Sequence, residues 1–182
     1  VRNILQGWDF QDHMDSAPAA LYNIFWKNLL AETFNDDLPE KHRPEGGGRW
    51  FEVMRNLVQE PDNAWWDDRN TPEKENRDQI FARSFTAAVK EIEAAQGKNM
   101  NKWNWGDLHT VTFENQSLGQ SGVAPIEAIF NRGPFRTSGG DEIVNATGWS
   151  ALEPYTVESL PSERMIVDLS NFSNSLSIHP TG

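Results

Sequence analysis

The sequence contains no cysteine among its 182 residues, so neither a disulfide framework nor thiol chemistry is available to it. No stretch approaches the roughly 20 consecutive apolar residues of a membrane helix, and no basic-then-apolar signal segment opens the chain. Basic residues are scarce as well, since 16 Lys and Arg oppose 27 Asp and Glu and leave a net charge of -11. That charge repels nucleic acid and anionic lipid, so we expect neither nucleic acid nor a membrane as a partner.

Familiar catalytic patterns are also missing. No serine stands in a Gly-x-Ser-x-Gly elbow, and the nearest approach, Gly119-Gln120-Ser121-Gly122, is one residue short and is typical of a turn. The glycine runs at 46–48 and 139–140 lack the residues that complete a phosphate-binding loop. Four histidines are available as bases, but no two stand at metal-binding spacing on a helix: His13, His42, His109 and His179. We therefore assign no catalytic, cofactor-binding or metal-binding residue to this chain.

Three clusters leave weaker alternatives open. The acids and histidine between Asp9 and Asp15 suit the positive end of a following helix better than they suit a metal ion. The acid pairs Asp36-Asp37 and Asp67-Asp68 resemble an acid/base couple, but sequence neighbours seldom face one cavity, and we expect solvated loop charges. Four tryptophans could stack on sugars, although core packing is the commoner role: Trp65, Trp66, Trp103 and Trp105.

Three amphipathic helices are predicted in the first half of the chain. The first covers residues 17–34, because Ser16 is a good N-cap and an apolar stripe recurs at helical spacing after it. The second carries an apolar face over residues 50–58. The third is predicted to begin at Thr71-Pro72, a cap followed by proline, and to end at Gly97.

After Gly97 the apolar period changes to that of strands. The predicted strands are separated by Gly, Pro, Asn and Ser, and they cover residues 108–113, 143–147, 155–160, 164–169 and 176–179. Helices that come first and strands that come last favour a segregated α+β fold with antiparallel strands. We divide the chain into a mainly helical region, 1–100, and a mainly β region, 101–182, that packs into the same larger domain.

Four ordered motifs in the second half carry a family resemblance. Residues 103–113 contain Trp103, Trp105, Gly106, His109 and Phe113, in a W-x-W-G-x-x-H-x-x-x-F pattern. Further on, residues 130–135 read F-N-R-G-P-F, and residues 139–145 contain G-G-D and V-N. Residues 162–169 read S-E-R-M-I-V-D-L, and residues 178–182 read I-H-P-T-G. In this order and at these separations they resemble the late part of the β-chain of penicillin-acylase-like enzymes.

The resemblance spans most of the chain and is specific from Trp103 onward. Two departures stand out: Ile143 occupies a position where the family pattern often has threonine, and the chain stops at Gly182, before the next glutamine of the pattern. The chain begins with Val1 rather than methionine, so its start is not expected to be the start of a gene. Within the family this region is expected to be a C-terminal piece of the β-chain.

The resemblance implies an N-terminal-nucleophile hydrolase with an αββα sandwich fold. Such an enzyme cleaves linear amides, as in β-lactam side chains or acyl-homoserine lactones, through an acyl-enzyme whose nucleophile is freed by self-cleavage. The family's nucleophile, oxyanion-hole asparagine and calcium ligands lie upstream of this region, so Asn131 and Asn145 receive no such role. The implied partners are the rest of the β-chain, the α-chain of the same precursor and a small amide substrate. A periplasmic or secreted location is implied as well.

Two expectations follow for this chain. It should be inactive alone, since Val1 has an α-amine without a side-chain nucleophile. Five apolar residues of the motif region should be mostly buried: Trp103, Trp105, Phe113, Phe130 and Ile166. Exposure of three or more would favour the alternative function, a non-catalytic carbohydrate- or protein-binding module.

Overall fold

A computed structural model describes residues 2–178. Its helices are α1 (Arg2–Gln6), α2 (Ala17–Phe34), α3 (Gly48–Leu57), α4 (Arg77–Gln96) and α5 (Ala124–Phe130). Its strands are β1 (Thr110–Phe113), β2 (Arg132–Arg136), β3 (Gly148–Trp149), β4 (Val157–Ser159), β5 (Arg164–Ile166) and β6 (Leu176–Ile178). No helix within residues 2–178 is long and apolar enough to cross a membrane. Helices and small antiparallel strand pairs together make this a mixed α+β chain.

The main core lies between α2 and α4. Leu21 and Ile24 of α2 and Ile80 of α4 have no solvent exposure, and the ring of Phe25 meets Phe81 edge-on at 5.7 Å. The predicted helix 17–34 is confirmed with its cap, because the Ser16 side chain accepts a hydrogen bond from the Ala19 N–H at 3.2 Å. The second helix is also confirmed, displaced by a residue or two at each end.

Helix α4 begins five residues later than the Thr71 cap predicts. Asn76 is the N-cap, and its side chain accepts from the backbone of Gln79 while the Gln79 side chain accepts from the Asn76 N–H, at 3.0 Å. This reciprocal capping box satisfies two N–H groups that a helix start otherwise leaves unpaired. The Thr71 hydroxyl instead bonds to the Glu75 carboxylate at 2.8 Å inside the preceding loop.

The paired acids are not merely solvated, which corrects the prediction for them. Asp36 accepts from the Arg69 backbone N–H at 2.8 Å, and Asp37 forms an ion pair with the Arg69 side chain. Asp68 pairs with Arg83 of α4 at 2.9 Å. These contacts join the 67–75 loop to the turn after α2 and to α4, so the acids act in tertiary packing.

The strands form three separate antiparallel pairs, β1 with β2, β3 with β4 and β5 with β6. The prediction of a strand at 143–147 is wrong, because that segment is irregular and the Val144 side chain is fully exposed. Its Asn145 side chain donates to the Ser138 carbonyl at 2.6 Å, which holds the segment as a loop. The other four predicted strands are present in shortened form, and residue 179 lies outside the described residues.

The burial prediction is confirmed for two of its five residues. Trp103 and Trp105 are 2% and 0% exposed, and Phe113 is half-buried. It is wrong for Phe130 and Ile166, which are 42% and 59% exposed. Phe130 ends the short surface helix α5, and Ile166 lies in the pair β5–β6, which has no neighbouring strand in residues 2–178. Two of the five residues are exposed, which is fewer than the three that would favour a ligand-binding module.

Replacement of Asn76 tests the observed start of α4. We expect Asn76→Ala to lower the free energy of unfolding by about 1 kcal/mol, because it removes the cap and one half of the box. Urea denaturation measures the change. Asp62→Asn in the exposed preceding turn is the control and should stay within about 0.5 kcal/mol. An unchanged free energy of unfolding in Asn76→Ala would mean that another residue caps α4.

Candidate functional site: a buried tryptophan–histidine cluster

His109 lies at the centre of the motif region and has no solvent exposure. It comes directly before β1, and its ring stacks on Trp105 with centroids 4.5 Å apart and planes 11° from parallel. The four-residue spacing of the pair produces the stack, since the His109 N–H donates to the Trp105 carbonyl at 2.8 Å in a single helical turn. Trp149 and Tyr155 close the other sides of Trp105 with edge-on contacts at 5.9 and 5.8 Å.

Both ring nitrogens of His109 have partners, and these partners determine its tautomer. Nδ1 lies 2.8 Å from the Tyr155 carbonyl oxygen, which can only accept, so Nδ1 carries the proton. Nε2 lies 2.8 Å from the Thr147 hydroxyl, which donates to it when the ring is neutral. Burial lowers the pKa of His109, and the hydrogen bonds to Tyr155 and Thr147 oppose this only in part. The ring is therefore neutral at pH 7.

Gly139 joins the glycine-rich motif to this cluster. Its carbonyl oxygen accepts from the Trp105 indole N–H at 2.9 Å. Its φ of +111° is unfavourable for other residues, and an added Cβ would lie 2.1 Å from the Asn145 carbonyl oxygen and 2.4 Å from the Thr147 hydroxyl. Only glycine fits between the indole and the Asn145–Thr147 backbone.

Tyr155 extends the cluster to the helices. Its hydroxyl donates to Glu91 of α4 at 2.6 Å, and Lys27 of α2 donates to both oxygens of the same carboxylate at 2.7 Å. Lys27 also lies 5.5 Å from the Tyr155 ring centroid, within cation–π range. Desolvation raises the pKa of Glu91, but hydrogen bonds from Lys27, Tyr155 and Asn28 outweigh it, so the pKa lies below its usual value. Burial and Glu91 raise the pKa of Tyr155, which keeps its proton.

This arrangement is suited to holding the β strands against the helices. A general base must reach a substrate proton within about 3 Å, and His109 has neither an exposed atom nor a free nitrogen. The Glu91 carboxylate is fully engaged by Lys27, Asn28 and Tyr155. The geometry of the cluster is that of a structural joint between the β strands and the helices.

The remaining candidates of the sequence lie apart from one another. Ser121 is exposed in a turn, where its hydroxyl accepts from the Val123 N–H at 3.2 Å. His13 and His42 are exposed in separate segments, and His179 lies outside the described residues. Within residues 2–178 no three His, Asp or Glu side chains come close enough together to hold a metal ion. The structure therefore brings none of these groups into one constellation.

The two motif asparagines have structural partners. Asn131 accepts from the Asn115 N–H and donates to the Gly119 carbonyl, both at 2.9 Å, and so holds the loop before α5. Asn145 accepts from the guanidinium of Arg164, which joins two of the family motifs. Among the described residues Arg164 bonds to Asn145 and forms no ion pair with Asp141 or Asp168. Asp141 instead lies 3.4 Å from the Trp149 N–H, as its acceptor.

The tryptophan pairs do not form a sugar-stacking platform. Trp66, Trp103 and Trp105 are at most 2% exposed. Trp65 is 40% exposed, but its ring packs on Phe34 at 5.4 Å. One partly exposed ring offers a sugar much less surface than the two pairs suggested.

Asp12 is a half-buried acid with one buried carboxylate oxygen, and sequence reasoning did not distinguish it from its neighbours. Its Oδ1 has no hydrogen-bond partner, and its backbone carbonyl accepts from the Gly139 N–H at 2.7 Å. Burial raises the pKa of Asp12 to about 6, and a hydrogen bond from Asn23 opposes the shift. Asp15, by contrast, pairs with Arg136 at the surface at 2.9 Å. The acids before α2 thus have individual roles beyond a shared helix-dipole effect.

Comparison with known proteins identifies the family of this chain. The whole chain, residues 1–182, matches the family described as Penicillin amidase. The acyl-homoserine lactone acylase QuiP of Pseudomonas aeruginosa is 30% identical over 98% of this chain and 23% of its own length. QuiP of Pseudomonas putida is 32% identical over 84% of this chain and 19% of its own length. The chain thus spans about a fifth of the length of the relatives it matches.

Replacement of His109 tests the joint. We expect His109→Phe to lower the free energy of unfolding by about 1–3 kcal/mol, because the ring remains while the Tyr155 carbonyl loses its donor. The dependence of stability on pH should change too. Because the pKa of His109 is lowered from its ordinary 6.5, the free energy of unfolding falls as pH drops below 6.5 and the unfolded chain binds the proton. The phenylalanine variant should not show this decrease. Urea titrations from pH 7.5 downward measure both, with exposed His42→Phe as control.

Replacement of Asp12 should have the opposite pH dependence. Its pKa is raised from 3.8 to about 6, so the folded chain loses stability as pH rises through this window and the carboxylate ionises. We expect Asp12→Asn to stabilise the fold by about 1–2 kcal/mol at pH 7.5, after allowance for solvent screening, and by nothing at pH 3.5. Thermal or urea unfolding at the two pH values measures this. An equal effect at both would contradict the buried-acid assignment.

Proposed function

The chain belongs to the penicillin amidase family, and from this we propose that it forms part of an enzyme that hydrolyses linear amide bonds, with acyl-homoserine lactones as its substrates. One observation carries the proposal: a match over the whole chain, with 30% identity across 98% of it to a protein named for that activity. β-Lactam side chains are the second substrate class, since the family takes its name from penicillin.

The role proposed for this chain is support of a catalytic centre located elsewhere in the parent protein. The only fully buried histidine of residues 2–178 is occupied on both nitrogens, and the Ser121 hydroxyl lies in an exposed turn. The attacking group would be a Ser, Cys or Thr at a new N-terminus, with its own α-amine as base, and it would form an acyl-enzyme. Neither group is assigned to a position here.

The proposed fold of the parent is the αββα sandwich, to which this chain contributes strands and covering helices. Its partners would be the rest of the β-chain and the α-chain, and its location the periplasm or the medium. The proposal assigns no calcium ligand to this chain, and within residues 2–178 no three carboxylate or histidine side chains lie together. Any calcium of the parent would be held by other residues.

The test is an assay of the parent protein that contains these residues. We expect it to release homoserine lactone from acyl-homoserine lactones, as measured by chromatography, and to act more slowly on a chromogenic phenylacetyl amide. Purified residues 1–182 should hydrolyse neither substrate, since loss of the nucleophile in a comparable hydrolase lowers turnover about a millionfold. Turnover by residues 1–182 that Ser121→Ala abolishes would place the active site in this chain and contradict the proposal.

A further inference from the structure

Thr147, which bonds to Nε2 of His109, has a second contact that is not needed to hold the ring. Its Oγ1 lies 2.8 Å from His109 Nε2 and 3.0 Å from the Ser138 carbonyl oxygen. Thr147 is 2% exposed and His109 has no exposure, so groups of the protein have to satisfy these atoms. The bond from Nδ1 to the Tyr155 carbonyl at 2.8 Å makes the contacts continuous. We call the series Tyr155–His109–Thr147–Ser138 the hydrogen-bond chain.

The neutral form of His109 has one proton too few for the hydrogen-bond chain. Carbonyl oxygens only accept, so its two ends, Tyr155 and Ser138, supply no proton. A neutral imidazole has one N–H and a threonine has one O–H, which makes two protons for three contacts. When the Thr147 hydroxyl donates to Nε2, its contact with the Ser138 carbonyl therefore has no proton. That carbonyl still has a donor, because the Asn145 side chain bonds to it at 2.6 Å.

A protonated ring supplies the missing proton. Both nitrogens of the imidazolium donate, Nδ1 to Tyr155 and Nε2 to Thr147. Thr147 Oγ1 then accepts from the ring, and its own proton turns to the Ser138 carbonyl, so that all three contacts are hydrogen bonds. Only a hydroxyl proton has to rotate. The hydrogen-bond chain therefore accommodates two protonation states of His109 in one arrangement of heavy atoms.

The last member of the hydrogen-bond chain leads to the segment before α2. The Ser138 carbonyl belongs to the same peptide group as the Gly139 N–H, and that N–H donates to the Asp12 carbonyl at 2.7 Å. A peptide whose oxygen gains a donor is more strongly polarised, so its N–H becomes a better donor. A proton on His109 thus strengthens the bond that joins Gly139 to Asp12.

The charged groups around the cluster do not bond to the ring. Within residues 2–178 the partners of the His109 ring nitrogens are Tyr155, which keeps its proton, and Thr147. The charged side chains on the surrounding elements have partners of their own: Glu91 with Lys27 and Tyr155, Arg136 with Asp15 and Asp107, Asp141 with the Trp149 N–H, and Arg164 with Asn145. Titration of the ring is therefore governed by its burial and by the hydrogen-bond chain.

We propose that His109 and Thr147 form a buried pH switch, in which a proton on Nε2 turns the Thr147 hydroxyl from the ring to the Ser138 carbonyl. In the neutral state the hydroxyl bonds to the ring, and in the acid state it bonds to the loop that continues through Gly139 to Asp12. The proton reaches the ring from solvent through transient local opening. The switch involves only residues between Asp12 and Tyr155, so it does not depend on the proposed function.

Nuclear magnetic resonance of the intact parent protein tests the switch. Serine labelled with carbonyl ¹³C and glycine labelled with ¹⁵N select Ser–Gly peptides, and Ser138→Ala identifies the signal of Ser138–Gly139 by its loss. Histidine labelled with ¹⁵N reports the ring of His109. From pH 7.5 downward we expect the ring to change from the Nδ1–H tautomer to the doubly protonated form, and the Gly139 amide proton to move downfield in proportion. A ring that stays neutral until the protein unfolds, or a Gly139 signal that does not follow the ring, would overturn the proposal.

Variants of Thr147 separate the switch from a merely structural contact. Thr147→Val removes the hydroxyl with little change in shape, and we expect the proton affinity of His109 to fall about tenfold, because the protonated ring loses an acceptor. The Gly139 signal should then no longer follow the ring. Thr147→Ser keeps the hydroxyl and should preserve both responses, while Thr86→Val, on the exposed side of α4, should alter neither. Unchanged responses in Thr147→Val would contradict the proposal. Should this variant not fold, the titration of the unmodified protein still decides the question.

Discussion

A histidine without solvent contact must find partners for both ring nitrogens inside the protein, and His109 finds them in segments 38 and 46 residues away. The Tyr155 carbonyl determines the tautomer, the Thr147 hydroxyl bonds to the second ring nitrogen, and the Trp105 indole covers one face of the ring. Each partner belongs to a segment with little regular structure of its own. An unpaired buried nitrogen would cost about 1–3 kcal/mol, so this requirement constrains three loops at once.

The same cluster explains how the strands are joined to the helices. Tyr155 accepts from His109 through its backbone and donates to Glu91 through its hydroxyl, so one residue couples the motif region to α4. Lys27 brings α2 into the same contact. Removal of one member would leave another buried polar group without its partner, which is why such networks specify a single arrangement when they are complete.

The sequence predicted those elements whose signals are local. Ser16 and the apolar stripe after it placed α2 correctly, and the spacing of Trp105 and His109 identified the segment at the centre of the cluster. The start of α4 was missed although Asn76 and Gln79 carry a readable capping box, because the Thr71-Pro72 signal was preferred. Helix α5 was also readable in part, since it has a proline in its first turn, but its seven residues contain no buried side chain and hence no clear apolar stripe.

Other features depend on contacts between distant residues and leave no local signal. Nothing near Asp12 in the sequence indicates that it meets Gly139 across the fold, so its burial could not be distinguished from the exposure of Asp15. Ile166 was expected to be buried because it alternates with polar residues at strand spacing, and it is 59% exposed. Ile166 lies in the pair β5–β6, which no other strand of residues 2–178 joins. Its exposure is therefore decided by which other elements pack on that pair, and the local alternation of side chains does not specify this.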